Sequence, residues 1–106
     1  MQDTLQEIYQ ILKKRKKAKT KDSYTAKLYK KGRKFICKKI GEEATEVVIA
    51  SLAEKDEHLI SESADLLYHM MVLLTDHKLD IKDVIDELAN RQGISGIEEK
   101  KNRPAD

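Results

Sequence analysis

The sequence predicts an all-α fold, a helical bundle of four to five helices completed by dimerisation. Three observations carry this. Apolar residues recur every three or four positions along most of the chain, and no segment reads as a strand. The connections between these periodic segments are short and carry capping residues. Two stretches, about 33–54 and 57–77, are apolar on several sides, as central helices packed by neighbours are. That breadth in a chain of 106 residues points to further burial by self-association.

Leu5, Ile8, Tyr9 and Leu12 place an amphipathic helix over about 3–17. Ala18 to Asp22 is a polar linker, so residues 1–22 form an N-terminal helix with a basic linker. Ser23 is an N-cap for a short helix anchored by Leu28 and stopped by Gly32. The long helix from about Arg33 to Glu54 puts Ile36, Ile40, Val47 and Ala50 on one face, while Phe35, Val48, Ile49 and Leu52 cover much of the rest. Gly41 interrupts it at a cost of about 1 kcal/mol against Ala. Close approach of a ligand or partner helix is the physical reason expected for it. Asp56 is the expected N-cap of the next helix, about 57–77. Asp80 caps another, about 81–91, with Asp83 at the capping-box position and Ile81, Val84, Ile85 and Leu88 on its buried side. Gly93 ends the helical core of residues 23–93, and residues 94–106 form a loosely ordered charged tail containing the only proline.

Composition narrows the function classes. Charged residues make up 38% and hydrophobic residues 40%, which fits neither a disordered acidic tail nor a membrane protein. The apolar run Leu66 to Leu74 is interrupted by His69 and is far shorter than the ~20 residues a bilayer requires. The first segment is amphipathic and lacks the apolar core of a signal peptide. The single Cys37 has no partner for an internal disulfide, which fits a reducing cytoplasm, and its place beside Ile36 predicts a buried structural thiol. Net charge is only +2, yet the basic residues cluster. One run, Lys13 to Lys21, reads best as a solvated helix end and linker. The other, Lys27 to Lys39, leads into an acidic cluster, which favours a phosphate-binding role there.

Two acidic clusters, Glu42-Glu43-Ala44-Thr45-Glu46 and Glu62-Ser63-Ala64-Asp65, sit inside the two most apolar stretches. Unpaired buried charges are costly. Like charges one turn apart repel by about 0.2–0.5 kcal/mol per pair even on a surface. At about 100° per residue, Glu43 and Glu46 share a face, with Glu42 one turn from Glu46. Glu62 and Asp65 share a face of the following helix. The short connection between the two helices predicts an antiparallel αα-hairpin, which sets the two clusters opposite each other. Such a carboxylate box calls for a hard divalent cation, and Mg²⁺ fits best because it takes oxygen ligands and keeps open positions for water and phosphate. Either cluster alone would read as solvated surface charge; their recurrence on consecutive apolar helices favours a metal site. His69, beside Tyr68 and Met70, reads as a hydrogen-bonded core residue, and Met70 and Met71 as core filler. A Mg²⁺ site with basic residues close by suggests phosphate chemistry. Glu42 is then the candidate to orient or deprotonate a water, and Lys38 and Lys39 to reach phosphate oxygens. No glycine-rich phosphate loop is present, which excludes a P-loop enzyme.

The pattern EExxE followed on the next helix by ExxD resembles the all-α MazG-like nucleotide pyrophosphatase superfamily. The flanking segments Ser23–Gly32 (SYTAKLYKKG), Lys38–Ala50 (KKIGEEATEVVIA), Glu62–Leu74 (ESADLLYHMMVLL) and Ser95–Lys100 (SGIEEK) resemble, within it, the phosphoribosyl-ATP pyrophosphatase family. The resemblance runs from about Ser23 to Arg103. It implies Mg²⁺-dependent hydrolysis of phosphoribosyl-ATP to phosphoribosyl-AMP and pyrophosphate, the second step of histidine biosynthesis, by a cytoplasmic homodimer. It implies Glu43, Glu46, Glu62 and Asp65 as metal ligands, with Glu42, Glu43 and Glu46 as the catalytic carboxylates. Tyr24, Thr25, Lys27, Lys38, Lys39 and Arg91 are the candidates for substrate contact. Members of this family are often fused to a cyclohydrolase; the short helix ahead of the helical unit here leads to the expectation of a stand-alone form. Three alternatives stay open: a house-cleaning (d)NTP pyrophosphatase of the same superfamily, a non-catalytic basic module binding nucleic acid, and a purely structural dimeric bundle. Balanced net charge argues against the nucleic-acid module.

Overall fold

The computed structural model describes residues 2–21 and 23–92. Five α-helices follow one another: α1 (Gln2–Lys14), α2 (Tyr24–Lys31), α3 (Arg33–Ala53), α4 (Asp56–Asp76) and α5 (Ile81–Arg91), and no strand occurs among the described residues. The all-α expectation holds. The Gly93 stop, the SGIEEK segment and the charged tail lie outside the described residues.

Each helix boundary has a local cause. The first helix was expected to reach residue 17, but α1 ends at Lys14 and Arg15–Lys17 tighten into a 3₁₀ turn, a common way for a helix to finish. Ser23 caps α2: its Oγ accepts from the Ala26 N–H at 3.2 Å. Gly32, at φ +97°, ends α2 and starts α3, a backbone conformation an L side chain rarely adopts. Asp80 caps α5, accepting from the Lys82 N–H at 2.8 Å. Asp56 does not cap α4: it is the first helical residue, and Lys55 holds the N-cap position without a side-chain bond. Asp56 and Glu57 instead place negative charge in the first turn, where the helix dipole favours it.

The helices α3 and α4 form the expected αα-hairpin, joined through Glu54 and Lys55. The core of Tyr9, Leu12, Leu28, Ile36, Met71, Val72 and Ile81 draws on all five helices. Its α3 and α4 members lie near the start of α3 and the end of α4. The other helices therefore gather at the open end of the hairpin, where Arg33 Nε donates to Asp76 at 2.7 Å. Tyr29 ties the layers together: its hydroxyl donates to the Leu12 carbonyl at 3.0 Å and meets the Thr75 hydroxyl.

The loop end of the hairpin is left bare, and here several expectations fail. Val48, Ile49 and Leu52 have no neighbouring helix over them; Leu52 is 82% exposed. On α4, Ile60 is 70% exposed, and Leu67 and Met70 are also exposed, so Met70 is not core filler whereas Met71 is. Val84 and Leu88 on α5 are exposed as well, leaving Ile81 and Ile85 to do the packing. Cys37 is exposed, not buried: only Ile36 of that pair faces the core. Gly41 is no close-approach point within this chain, since a Cβ there would meet nothing within 4 Å. One physical cause underlies these differences. Apolar residues spread around a helix do not fix which of them are buried; that depends on where neighbouring helices pack, and among the described residues they pack at one end of the hairpin. The radius of gyration, 15.9 Å, exceeds the roughly 13 Å of a globular monomer this size.

Candidate active site

Antiparallel packing of α3 on α4 brings the two acidic clusters into one place midway along the hairpin. A carboxylate oxygen from each of Glu43, Glu62 and Asp65 lies within 4.8 Å of the others. Glu43 is 7% exposed, Glu62 half-buried and Asp65 exposed, so the group is a walled site open on one side. The Oε2 atoms of Glu43 and Glu62 are buried without a hydrogen-bond partner. Ionised carboxylates only accept hydrogen bonds, so these groups cannot satisfy one another. Buried orphan oxygens demand an explanation, and an unseen ion is one.

Glu46, one turn beyond Glu43, adds to the crowding at Glu62. Together they push the Glu62 carboxyl up to about 7 from its ordinary 4.5, chiefly because a proton on Glu62 can be shared in hydrogen bonds with Glu46 and then Glu43, and further through burial and like-charge repulsion. The consequence for stability has a definite sign. Between about pH 4.5 and 7 the folded chain keeps a proton that the unfolded chain releases, so this group makes stability fall as pH rises. Melting of the metal-free protein is therefore expected to occur at lower temperature at about pH 7.5 than at about pH 5, and Glu62→Gln should flatten that slope. An unchanged slope in the variant would remove Glu62 as its source.

The remaining candidates fall into two groups. Near the carboxylates, Glu42 is exposed on the rim and pairs with Lys39 at 3.5 Å. Burial works against the charge on Lys39, but Tyr24, Glu42 and Glu43 outweigh it and hold its proton above the ordinary lysine range. That coupling also places Tyr24 of α2 beside the site. Its ring stacks on Tyr68 with centroids 6.2 Å apart, and its hydroxyl faces His69 Nε2 at 3.5 Å. His69 is buried and its Nδ1 contacts the Asp65 carbonyl at 2.8 Å, in keeping with the structural role expected of it. The other candidates stand differently. Thr25 is buried with its hydroxyl bonded to the Tyr68 hydroxyl at 2.6 Å. Lys27 and Lys38 are exposed. Arg91 sits in the last turn of α5, where its Nε donates to Glu87 at 3.0 Å.

Tyr68 lies in an apolar run, so the sequence does not single it out as a functional residue. Its position three residues after Asp65 is the signal that could have found it, since that spacing shares a helical face. With Tyr24 and His69 it forms an aromatic wall one turn from the acids. An all-carboxylate donor set with orphaned buried oxygens suits a hard divalent cation and offers no nitrogen or sulfur from a side chain to a softer one. Among the described residues no helix is long and apolar enough to cross a membrane.

The chain is similar to known proteins over most of its length. A family model described as phosphoribosyl-ATP pyrophosphohydrolase matches residues 5–92, which takes in most of α1. The chain is 49% identical over 102 residues to the phosphoribosyl-ATP pyrophosphatase of Geobacter metallireducens, covering 96% of this chain and 94% of that one. It is 50% identical over 99 residues to the protein of that name from Neisseria meningitidis serogroup C, covering 93% and 92%. With the Zymomonas mobilis protein of that name it shares 44% over 103 residues, covering 97% and 96%.

Proposed function

Since the chain belongs to the phosphoribosyl-ATP pyrophosphohydrolase family, we propose that its carboxylate site hydrolyses phosphoribosyl-ATP to phosphoribosyl-AMP and pyrophosphate in the cytoplasm, as the second step of histidine biosynthesis. The observation that carries this is the convergence of Glu43, Glu62 and Asp65 within 4.8 Å, with two buried oxygens unpartnered, on a chain matched by the family over nearly its whole length.

Glu43, Glu62 and Asp65, with Glu46 against Glu62, would hold Mg²⁺. When bound, the ion neutralises charge on phosphate oxygens and lowers the pKa of coordinated water. The chain's own groups do the rest. Glu42, on the rim, orients the attacking water and takes its proton. That water forms a bond to the α-phosphorus as the bond from that phosphorus to the oxygen bridging the α and β phosphates breaks, and the electron pair leaves on pyrophosphate. Lys39, held charged beside Glu42, faces the non-bridging oxygens, with Lys38 and Lys27 as further cations on the exposed surface. Tyr24 presents a half-exposed ring for the nucleotide. Thr25 acts through Tyr68, by fixing the ring on which Tyr24 stacks. Arg91 is the outlying candidate for a substrate phosphate.

The bare apolar stripes on α3 and α4 support a homodimer. At about 100° per residue, Val48, Ile49 and Leu52 fall within a narrow arc of α3, and Ile60, Leu67 and Met70 within one of α4. Exposed stripes of that size mark interfaces, and a second copy supplies the missing layer of the bundle.

The substrate assignment is tested by comparing turnover of phosphoribosyl-ATP with that of dCTP and dUTP in Mg²⁺. Higher kcat/KM for phosphoribosyl-ATP by about a hundredfold or more is expected, since a site built around particular polar contacts discriminates strongly. Preference for the deoxynucleotides would transfer the same site to house-cleaning hydrolysis.

A further inference from the structure

A second charged feature lies away from the carboxylates. Between the end of α1, the 3₁₀ turn after it and the end of α4 runs a cleft of about 730 Å³, lined by Lys13, Lys14, Lys16, Lys17 and Lys78 around Thr75. Thr75 is ten residues beyond Asp65 on α4, about 15 Å along the axis, so the cleft is separate from the acidic site. None of the five ammonium groups has a carboxylate within 4.0 Å among the described residues. The Lys16 ammonium is fixed to the wall, donating to the Thr75 carbonyl and lying 5.7 Å from the Tyr29 ring centre. The Asp80 carboxyl is held below its ordinary range chiefly by the Lys82 N–H and then by Gln6, and Lys13 adds to this at longer range.

Lysines at a helix C-terminus are favoured by the helix dipole, and this accounts for Lys13 and Lys14. At the end of α4 it favours Lys78 too, but it leaves the backbone conformation of that residue unexplained. The end of α4 is a Schellman turn: the Leu79 N–H donates to the Leu74 carbonyl at 2.9 Å and the Lys78 N–H to the Thr75 carbonyl at 3.0 Å. Lys78 holds the left-handed position at φ +61°, the only described non-glycine residue with positive φ. Glycine is the usual occupant there. A lysine at that position gives up backbone comfort, and Lys78 lines the cleft. All five lysines are exposed and solvated, but gathered without carboxylate partners among the described residues they make the cleft wall strongly positive, which draws an anion that fits it. Lysine presents compact point charges, which bind phosphate oxygens without the fixed geometry of the arginine fork. The volume is that of a small-molecule site.

We propose that this cleft binds a small oligophosphate anion, the di- or triphosphate group shared by inorganic pyrophosphate and nucleotides.

Calorimetric titration of the full chain in EDTA tests it, because without a metal ion the carboxylate site repels phosphate. Pyrophosphate, tripolyphosphate and ATP are titrated separately. One anion per chain is expected, with affinity that falls as salt rises. Equal affinity for ATP and tripolyphosphate assigns the site to the phosphate group alone; tighter ATP binding assigns it to a nucleotide. Lys17→Ala and Lys78→Gly should each weaken binding by about tenfold, the scale of one charge-assisted contact. Lys78→Gly should at the same time melt at higher temperature, because glycine suits that backbone. Glu62→Gln should leave the isotherm unchanged. No heat with any anion, full affinity in both lysine variants, or a lost isotherm in Glu62→Gln would overturn the proposal. So would affinity for single-stranded oligonucleotides that exceeds tripolyphosphate and climbs with length, which would make the cleft part of a nucleic-acid surface.

Discussion

Glu62→Gln is expected to abolish pyrophosphate release while the metal-free protein melts at a higher temperature than the parent. The two effects share one cause. Glu62 faces Glu46 and Glu43 across the hairpin, its Oε2 is buried without a partner, and its carboxyl is pushed up to about 7. An amide in its place removes one charge from the crowd and can donate a hydrogen bond where the carboxylate could only accept. The empty fold relaxes. The same amide is a poor ligand for a hard cation, so metal affinity falls and the site loses what it was strained to hold. Changing groups that merely orient metal ligands costs about 10–100-fold, and replacing a ligand itself should cost at least about a hundredfold in kcat/KM. Glu46→Gln and Asp65→Asn should behave alike, with the helical circular dichroism of the parent. Full turnover in these variants at excess Mg²⁺ would remove the proposed ligands. A lower melting temperature in metal-free Glu62→Gln would show that the cluster is not repulsive and that its orphaned oxygens have another explanation.

Leu52→Glu combined with Ile60→Glu is expected to convert a dimer at twice the 12.2 kDa chain mass into a monomer, read by light scattering after size exclusion. Among the described residues these two side chains are the most exposed large apolar groups, one on each side of the α3–α4 turn. Burying such a side chain is worth about 1.5–3 kcal/mol, while association itself carries a large entropic cost. Two buried charges at the loop end of the hairpin should therefore outweigh what the rest of the stripe contributes. The core at the opposite end, around Ile36 and Val72, is untouched by these changes, so secondary structure should survive. A parent protein that is monomeric at micromolar concentration, or a double variant that remains dimeric, would reject the interface.

Much of the architecture was legible because it depends on local physics. Ser23, Gly32 and Asp80 mark helix ends through bonds and backbone angles confined to a few residues. The pairing of the two acidic clusters followed from a short connection and the pitch of a helix. Failures occurred where burial had to be assigned. Cys37 and Met70 sit among apolar neighbours in sequence yet face outward, because a helix surface is divided by angle and the packed arc of α3 and α4 changes along their length. Asp56 looked like a cap because its residue type suits one, but the helix began one residue earlier than that role requires.

The sequence by itself determined the helical class, most helix ends, the hairpin and the residue types that meet across it. These rest on periodicity, capping and charge, all of which act within a few residues or one tight turn. Only the tertiary structure decided which carboxylates converge and which turn away: Glu43, Glu62 and Asp65 gather, whereas Glu42 leans to Lys39. It also decided that the lysines at the end of α1, those of the turn after it and Lys78 share one cleft and that the apolar side chains at the loop end of the hairpin are exposed. Those outcomes depend on how helices distant in sequence rotate against one another to bury a limited core, and no local pattern encodes that rotation.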